Sequence, residues 1–156
     1  MTAGLAAAGH VVGNHSFSHS FTRGWTTSVV RRELADAQEA LVGELGRRPL
    51  LYRPPWLVRT AGVLDALRAE GMTAVSGTFC HPLEPLQPAA RRIAALALAQ
   101  VRPGGIVIFH DGYDDRGGNR SATVEAVEIV VDTLLERSYG FVTVDRLLGV
   151  PAYSRN

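Results

Sequence analysis

The chain has 156 residues, 46% hydrophobic and 20% charged, which suits one globular domain spanning residues 1–156. Its 16 basic and 15 acidic residues leave a net charge of +1, and the basic ones gather only in pairs such as Arg31–Arg32 and Arg91–Arg92, so nucleic acid is not an expected partner. A single cysteine, Cys80, excludes an internal disulfide framework, and no apolar run approaches the roughly 18 residues of a membrane span.

The opening MTAGLAAAGH is alanine-rich but lacks the basic flank and the longer apolar stretch of a signal peptide, so the sequence leaves the compartment open. His10 to Val12 is a short apolar run that reads as a strand, followed by the polar stretch Asn14 to His19. From Thr27 to Leu45, apolar residues at Val30, Leu34, Ala37, Leu41 and Leu45 step by three or four. That is the stripe of an amphipathic helix, ended by Gly46 and Pro49. Further stripes lie at Val63, Leu64 and Leu67, at Ile93, Leu96 and Val101, and at Val124, Val127, Val131 and Leu134. Between them, Leu50 to Tyr52, Thr73 to Val75, Ile106 to Phe109 and Phe141 to Val144 are expected strands.

Strands alternating with helices predict an α/β protein built on parallel βαβ units. The run GGIVIF lacks polar alternation, as a parallel strand covered on both faces should. At roughly 30 residues per unit, a (β/α) barrel would have about five units in this length, too few to close. An open sheet also fits, but neither GxGxxG nor a P-loop is present.

Three segments could carry chemistry. In HSFSH, His15 and His19 stand four apart and could share a first-row metal, although a catalytic zinc normally takes three protein ligands; surface or cap histidines fit the pattern equally. In LYRPPW, Arg53 ends a strand and Pro54 and Pro55 stiffen the backbone before Trp56, which could present an arginine, an N–H and an aromatic face, or could simply be a packed proline turn. In IVIFHDG, a strand ends in His110 and Asp111, where parallel folds collect their ligands, or where an aspartate caps the next element.

Taken in order, with GN ahead of HSFSH, then RPPW, then Ile108 two residues before His110–Asp111, these segments resemble the NodB-homology polysaccharide deacetylases, carbohydrate esterase family 4. The resemblance runs from about Leu5 to Leu148. It implies a distorted (β/α) barrel, usually of seven strands, that removes acetyl groups from N- or O-acetylated carbohydrate such as chitin or peptidoglycan. It makes His15 and His19 ligands of a divalent metal, commonly zinc. It has Arg53 orient a catalytic aspartate, Trp56 offer a backbone N–H to the oxyanion from the loop that begins at Pro54, Ile108 line the acetyl-methyl pocket, and His110 serve as general acid.

The family's TFDDG motif, which brings the catalytic base and a third metal ligand, is absent from these 156 residues. The expectation is therefore a barrel lacking its amino-terminal strands, poor turnover by the chain alone, and association through exposed barrel edges; a remnant that only binds carbohydrate or a partner is the alternative. Asp114 and Asp115 in GYDDRGGN, and His10 and His81, are weaker candidates for the missing groups. The stretch that often holds a histidine-tuning aspartate in the family is GTFCHPLEP here, where Glu84 is the acid that remains. The glycine that often follows the RPP aromatic is Leu57.

Overall fold

The computed structural model describes residues 2–20, 25–80, 84–112 and 118–154. Two compact units divide the chain: Met1–Ser76 together with Thr143–Asn156, and Gly77–Val142.

The first unit opens with a short helix α1 (Thr2–Ala7), followed by the long α2 (Thr27–Leu45). The bounds of α2 are those of the apolar stripe. It stops at Gly46, whose φ of 64° is the left-handed value that glycine adopts at no steric cost, and whose N–H returns to the Val42 carbonyl. Val30, Leu34 and Ala37 are buried as the spacing requires, but so are two polar residues, Glu33 and Gln38.

After α2 come β1 (Leu51–Tyr52), α3 (Ala61–Ala69) and β2 (Thr73–Ala74). β1 and β2 pair in parallel, with Leu51 opposite Thr73 and Tyr52 opposite Ala74. The Thr60 hydroxyl caps α3 by accepting from the Val63 N–H. Val30 and Leu34 of α2 and Val63, Ala66 and Leu67 of α3 pack with Tyr52 and Met72 into one apolar cluster. At about 25 cal/mol per Å² of buried apolar surface, this contact is the main support of the unit.

Two expected strands take other forms. Residues 10–12 form no ladder, because the Val12 N–H goes to the Tyr153 hydroxyl; the pairing falls on Asn14, which bridges Tyr52 in parallel. At Phe141–Val144 the chain instead enters a helix, α6 (Val144–Leu148). Its first turn carries Asp145, where a carboxylate favours a helix start over a strand. Beyond α6 the chain returns to β1: Leu50 donates to Ala152, Ser154 donates to Arg48, and the Arg47 guanidinium lies 3.7 Å from the centroid of the Tyr153 ring.

The second unit pairs β3 (Phe79–Cys80) with β4 (Val107–Ile108) in parallel and carries α4 (Ala90–Gln100) and α5 (Ser121–Glu136). Ala90, Ile93, Ala94 and Ala97 of α4 pack against Ala126, Val130 and Leu134 of α5. The small residues of α4 allow a close helix approach. The buried stripe of α5 is Thr123, Ala126, Val130 and Leu134, one position before the expected valines at three of four places, and Val124 is exposed. Gly77 admits no side chain: a Cβ there would lie 2.4 Å from Ile108 Cδ1.

Candidate active site

In the first unit, HSFSH and RPPW meet. The Asn14 N–H donates to Leu51 and the Arg53 N–H donates to Asn14, so the two segments leave β1 and its neighbour side by side. The His15 Nδ1–H then donates to the Arg53 carbonyl at 2.6 Å. Since a carbonyl only accepts, this bond places a proton on Nδ1, and in the neutral ring the lone pair then lies on Nε2. The His15 and His19 rings lie 4.9 Å apart in an edge-on pair, and the Trp56 ring is 5.3 Å from that of His19.

The loop between the histidines is held from below by α2. Asn14, buried, donates from Nδ2 to the Leu34 carbonyl and accepts from the Ser16 N–H. Glu33 accepts from the Ser16 hydroxyl at 2.8 Å and from both the N–H and the hydroxyl of Ser18. Ser16 and His19 have φ of 73° and 49°, left-handed values that cost a non-glycine residue about 1–2 kcal/mol each. Tyr52, buried in β1, has its phenol pushed up to about 12 by desolvation first and the charge of Glu33 second.

RPPW ends in a 3-10 turn, Pro55–Leu57, in which Trp56 and Leu57 both have a φ of 55°. Pro54 and Pro55 are buried, while Trp56 is exposed. Leu57 thus occupies a backbone conformation that favours glycine, where the family often has one.

The second unit holds an acid–histidine pair. His110, just after β4, directs Nδ1 to Glu84 Oε2 at 2.5 Å. Glu84 is fully buried in the 3-10 turn Glu84–Leu86 and also accepts from the Thr123 hydroxyl of α5, which in turn accepts from Gln87 Nε2 at 2.7 Å. A buried carboxylate is tolerable only with such partners. Ile108 is buried on β4.

The residues to which the resemblance gives a role divide between the units: His15, His19, Arg53, Pro54 and Trp56 lie in the first, Ile108 and His110 in the second. His10 is exposed, and its N–H closes α1 onto Leu5. Asp114, Asp115 and His81 lie outside the described residues. Sequence reasoning missed Asn14, Glu33, Gln87 and Thr123. For Glu33 a signal existed, a carboxylate on the apolar stripe three residues after Val30 and beside Leu34.

The two imidazoles suit two positions of a divalent metal. Among the described residues, no group of three or more His, Cys, Asp or Glu side chains could hold one. No helix among them is long and apolar enough to cross a membrane.

The family model described as Polysaccharide deacetylase matches residues 2–75, just under half of the chain, and the chain is similar to that family there. It is 28% identical over 141 residues to a peptidoglycan-N-acetylglucosamine deacetylase of Bacillus cereus, covering 90% of this chain and 64% of that protein. It is 29% identical over 143 residues to a chitooligosaccharide deacetylase of a Bradyrhizobium species, covering 86% and 65%. The chain thus spans a little under two thirds of the length of these curated relatives. A family 4 acetyl xylan esterase from Clostridium thermocellum, solved with a cobalt ion, superposes with a TM-score of 0.81 at 27% identity, over 97% of this chain and 72% of that one. The α/β class read from the sequence holds, and the fold is that of the NodB-type (β/α) proteins.

Proposed function

We propose that the chain is a metal-dependent hydrolase that removes acetyl groups from N- or O-acetylated carbohydrate, with zinc as its metal. The observation that carries this reading is the tie between His15 and the Arg53 carbonyl, which commits Nδ1 of His15 and supports a ligand role for its Nε2 beside the His19 ring. A bound divalent ion supplies Lewis acidity toward the acetyl carbonyl and acidifies a water.

This chain's residues supply two metal ligands, the oxyanion donor and the general acid, whereas the resemblance assigns the base that takes the water's proton to the TFDDG motif, which these 156 residues lack. His15 and His19 hold the ion, and the exposed Trp56 ring offers a face to a sugar while its backbone N–H supports the developing oxyanion. Ile108 receives the acetyl methyl. His110, its Nδ1 engaged by Glu84, holds a proton at Nε2 and gives it to the departing amine or alcohol.

A second reading, a carbohydrate-binding protein without turnover, draws on the two rather than three ligand-type side chains that the described residues bring together. Acetate release from N-acetylglucosamine oligomers, with added zinc, separates the two. Release that falls at least tenfold in both His15→Ala and His110→Ala supports the hydrolase. Release at background level, or at the same rate in wild type and His110→Ala, overturns it.

A further inference from the structure

Glu33 is a carboxylate inside a packed helix face, and its use is not explained by the packing of α2 on α3. It is 7% exposed, and among the described residues its hydrogen-bond donors are Ser16 and Ser18. Ser16 follows His15 and Ser18 precedes His19, so every such bond falls between the two imidazoles. The next residue of the same helix, Leu34, offers its carbonyl to Asn14, which in turn accepts the Ser16 N–H. One turn of α2 therefore grips the loop at Asn14, Ser16 and Ser18. It does so where the backbone departs from ordinary geometry, with Ser16 and His19 both at positive φ. Such conformations persist only where neighbouring groups over-determine them.

We infer that Glu33 is a positioning residue for the His15–His19 pair, holding the loop in its ligating shape before a metal arrives. The inference rests on the proposed reading that these histidines bind a divalent ion. Ligands fixed in advance lose little freedom on binding, so affinity is gained without any direct contact between Glu33 and the ion. The geometry also says what kind of side chain is needed. Among the described residues, Ser16 Oγ and Ser18 N donate to Oε2, and the Ser18 hydroxyl lies within hydrogen-bond reach of both Oε1 and Oε2. A glutamine can reproduce this set: its oxygen takes the first two donors, and its NH2 donates to the Ser18 oxygen. Toward these two serines, the shape of the side chain is the requirement.

The test is zinc affinity of the whole chain by calorimetric titration, together with hydrogen exchange of the Ser18 amide in metal-free protein. Glu33→Ala should weaken zinc binding by about 10- to 100-fold and expose the Ser18 amide, whereas Glu33→Gln should stay within about threefold of wild type. Zinc affinity in Glu33→Ala equal to wild type, with the Ser18 amide still protected, overturns the positioning role. If Glu33→Ala loses its helical signal, the double variant Ser16→Ala, Ser18→Ala is read by the same tenfold criterion. Wild type that takes up no zinc, or takes it up undiminished in His15→Ala, rejects the metal reading itself and Glu33's role with it. Failure of Glu33→Ala alone to change the affinity rejects only the latter.

Discussion

Glu84 accepts a hydrogen bond from His110 across 26 residues of chain, at 2.5 Å, and does so from a fully buried position. The sequence left the tuning of His110 in doubt because the customary aspartate was missing from GTFCHPLEP. The acid that this stretch retains, Glu84, is the one that meets His110, and Thr123 and Gln87 keep it aligned.

Replacing Glu84 by glutamine takes away the carboxylate that accepts from His110 Nδ1 while nearly conserving volume. In the proposed reaction, kcat should fall by about 10- to 100-fold, a part of the roughly 10²–10⁴ that positioned general acids supply, with KM little changed. Steady-state kinetics on an acetylated oligosaccharide check this; a change in KM alone would mean that Glu84 serves binding instead.

Tyr52 gives the first unit a pH dependence with a definite sign. Its phenol ionises near 10.0 when unperturbed and at about 12 in the fold, so the folded state retains a proton that the unfolded chain has already released. The resulting stabilisation is complete below pH 10 and is lost as pH rises from 10 to 12, at up to about 1.4 kcal/mol per unit. Denaturant unfolding of wild type and Tyr52→Phe should therefore converge across that window, the wild type losing stability faster. Parallel curves would refute the assignment.

Leu57 sits at a φ of 55° directly after Trp56 at the same value. Leu57→Gly should raise the unfolding free energy by up to about 1 kcal/mol, strain relief outweighing the entropy that glycine adds to the unfolded chain. Leu57→Val, with branching at Cβ, should lower it by about 1 kcal/mol or more. Thermal melts of the two variants should move in opposite directions.

What the sequence made legible was set by how local the determining interactions are. The stripe from Val30 to Leu45 and the glycine after it are contained in the helix itself, and α2 has the expected bounds. The valines of α5 misled because Ala126 and Ile129 made neighbouring faces nearly as apolar, and the choice fell to packing against α4 and to the Thr123–Glu84 bond. Residues 10–12 look like a strand until one knows that Tyr153, 141 positions away from Val12, takes its N–H. The motif residues His15, Arg53 and His110 were readable as types in order. Of their supporting partners, Glu33 left one trace, a carboxylate on the apolar stripe of α2, while Asn14 and Thr123 take their roles across the fold, where there is no spacing to read.

The return of the chain after α6 bears on how the molecule is made. Leu50 and Arg48 find their backbone partners in Ala152 and Ser154, and Val12 finds its acceptor in Tyr153. A ribosome must pass residue 154 before these bonds can close, whereas every residue of Gly77–Val142 has by then been synthesised. Where chains commonly fold from the amino terminus forward, here the unit that holds the histidine loop cannot close its last backbone bonds until residues 152–154 have been made, after all of Gly77–Val142.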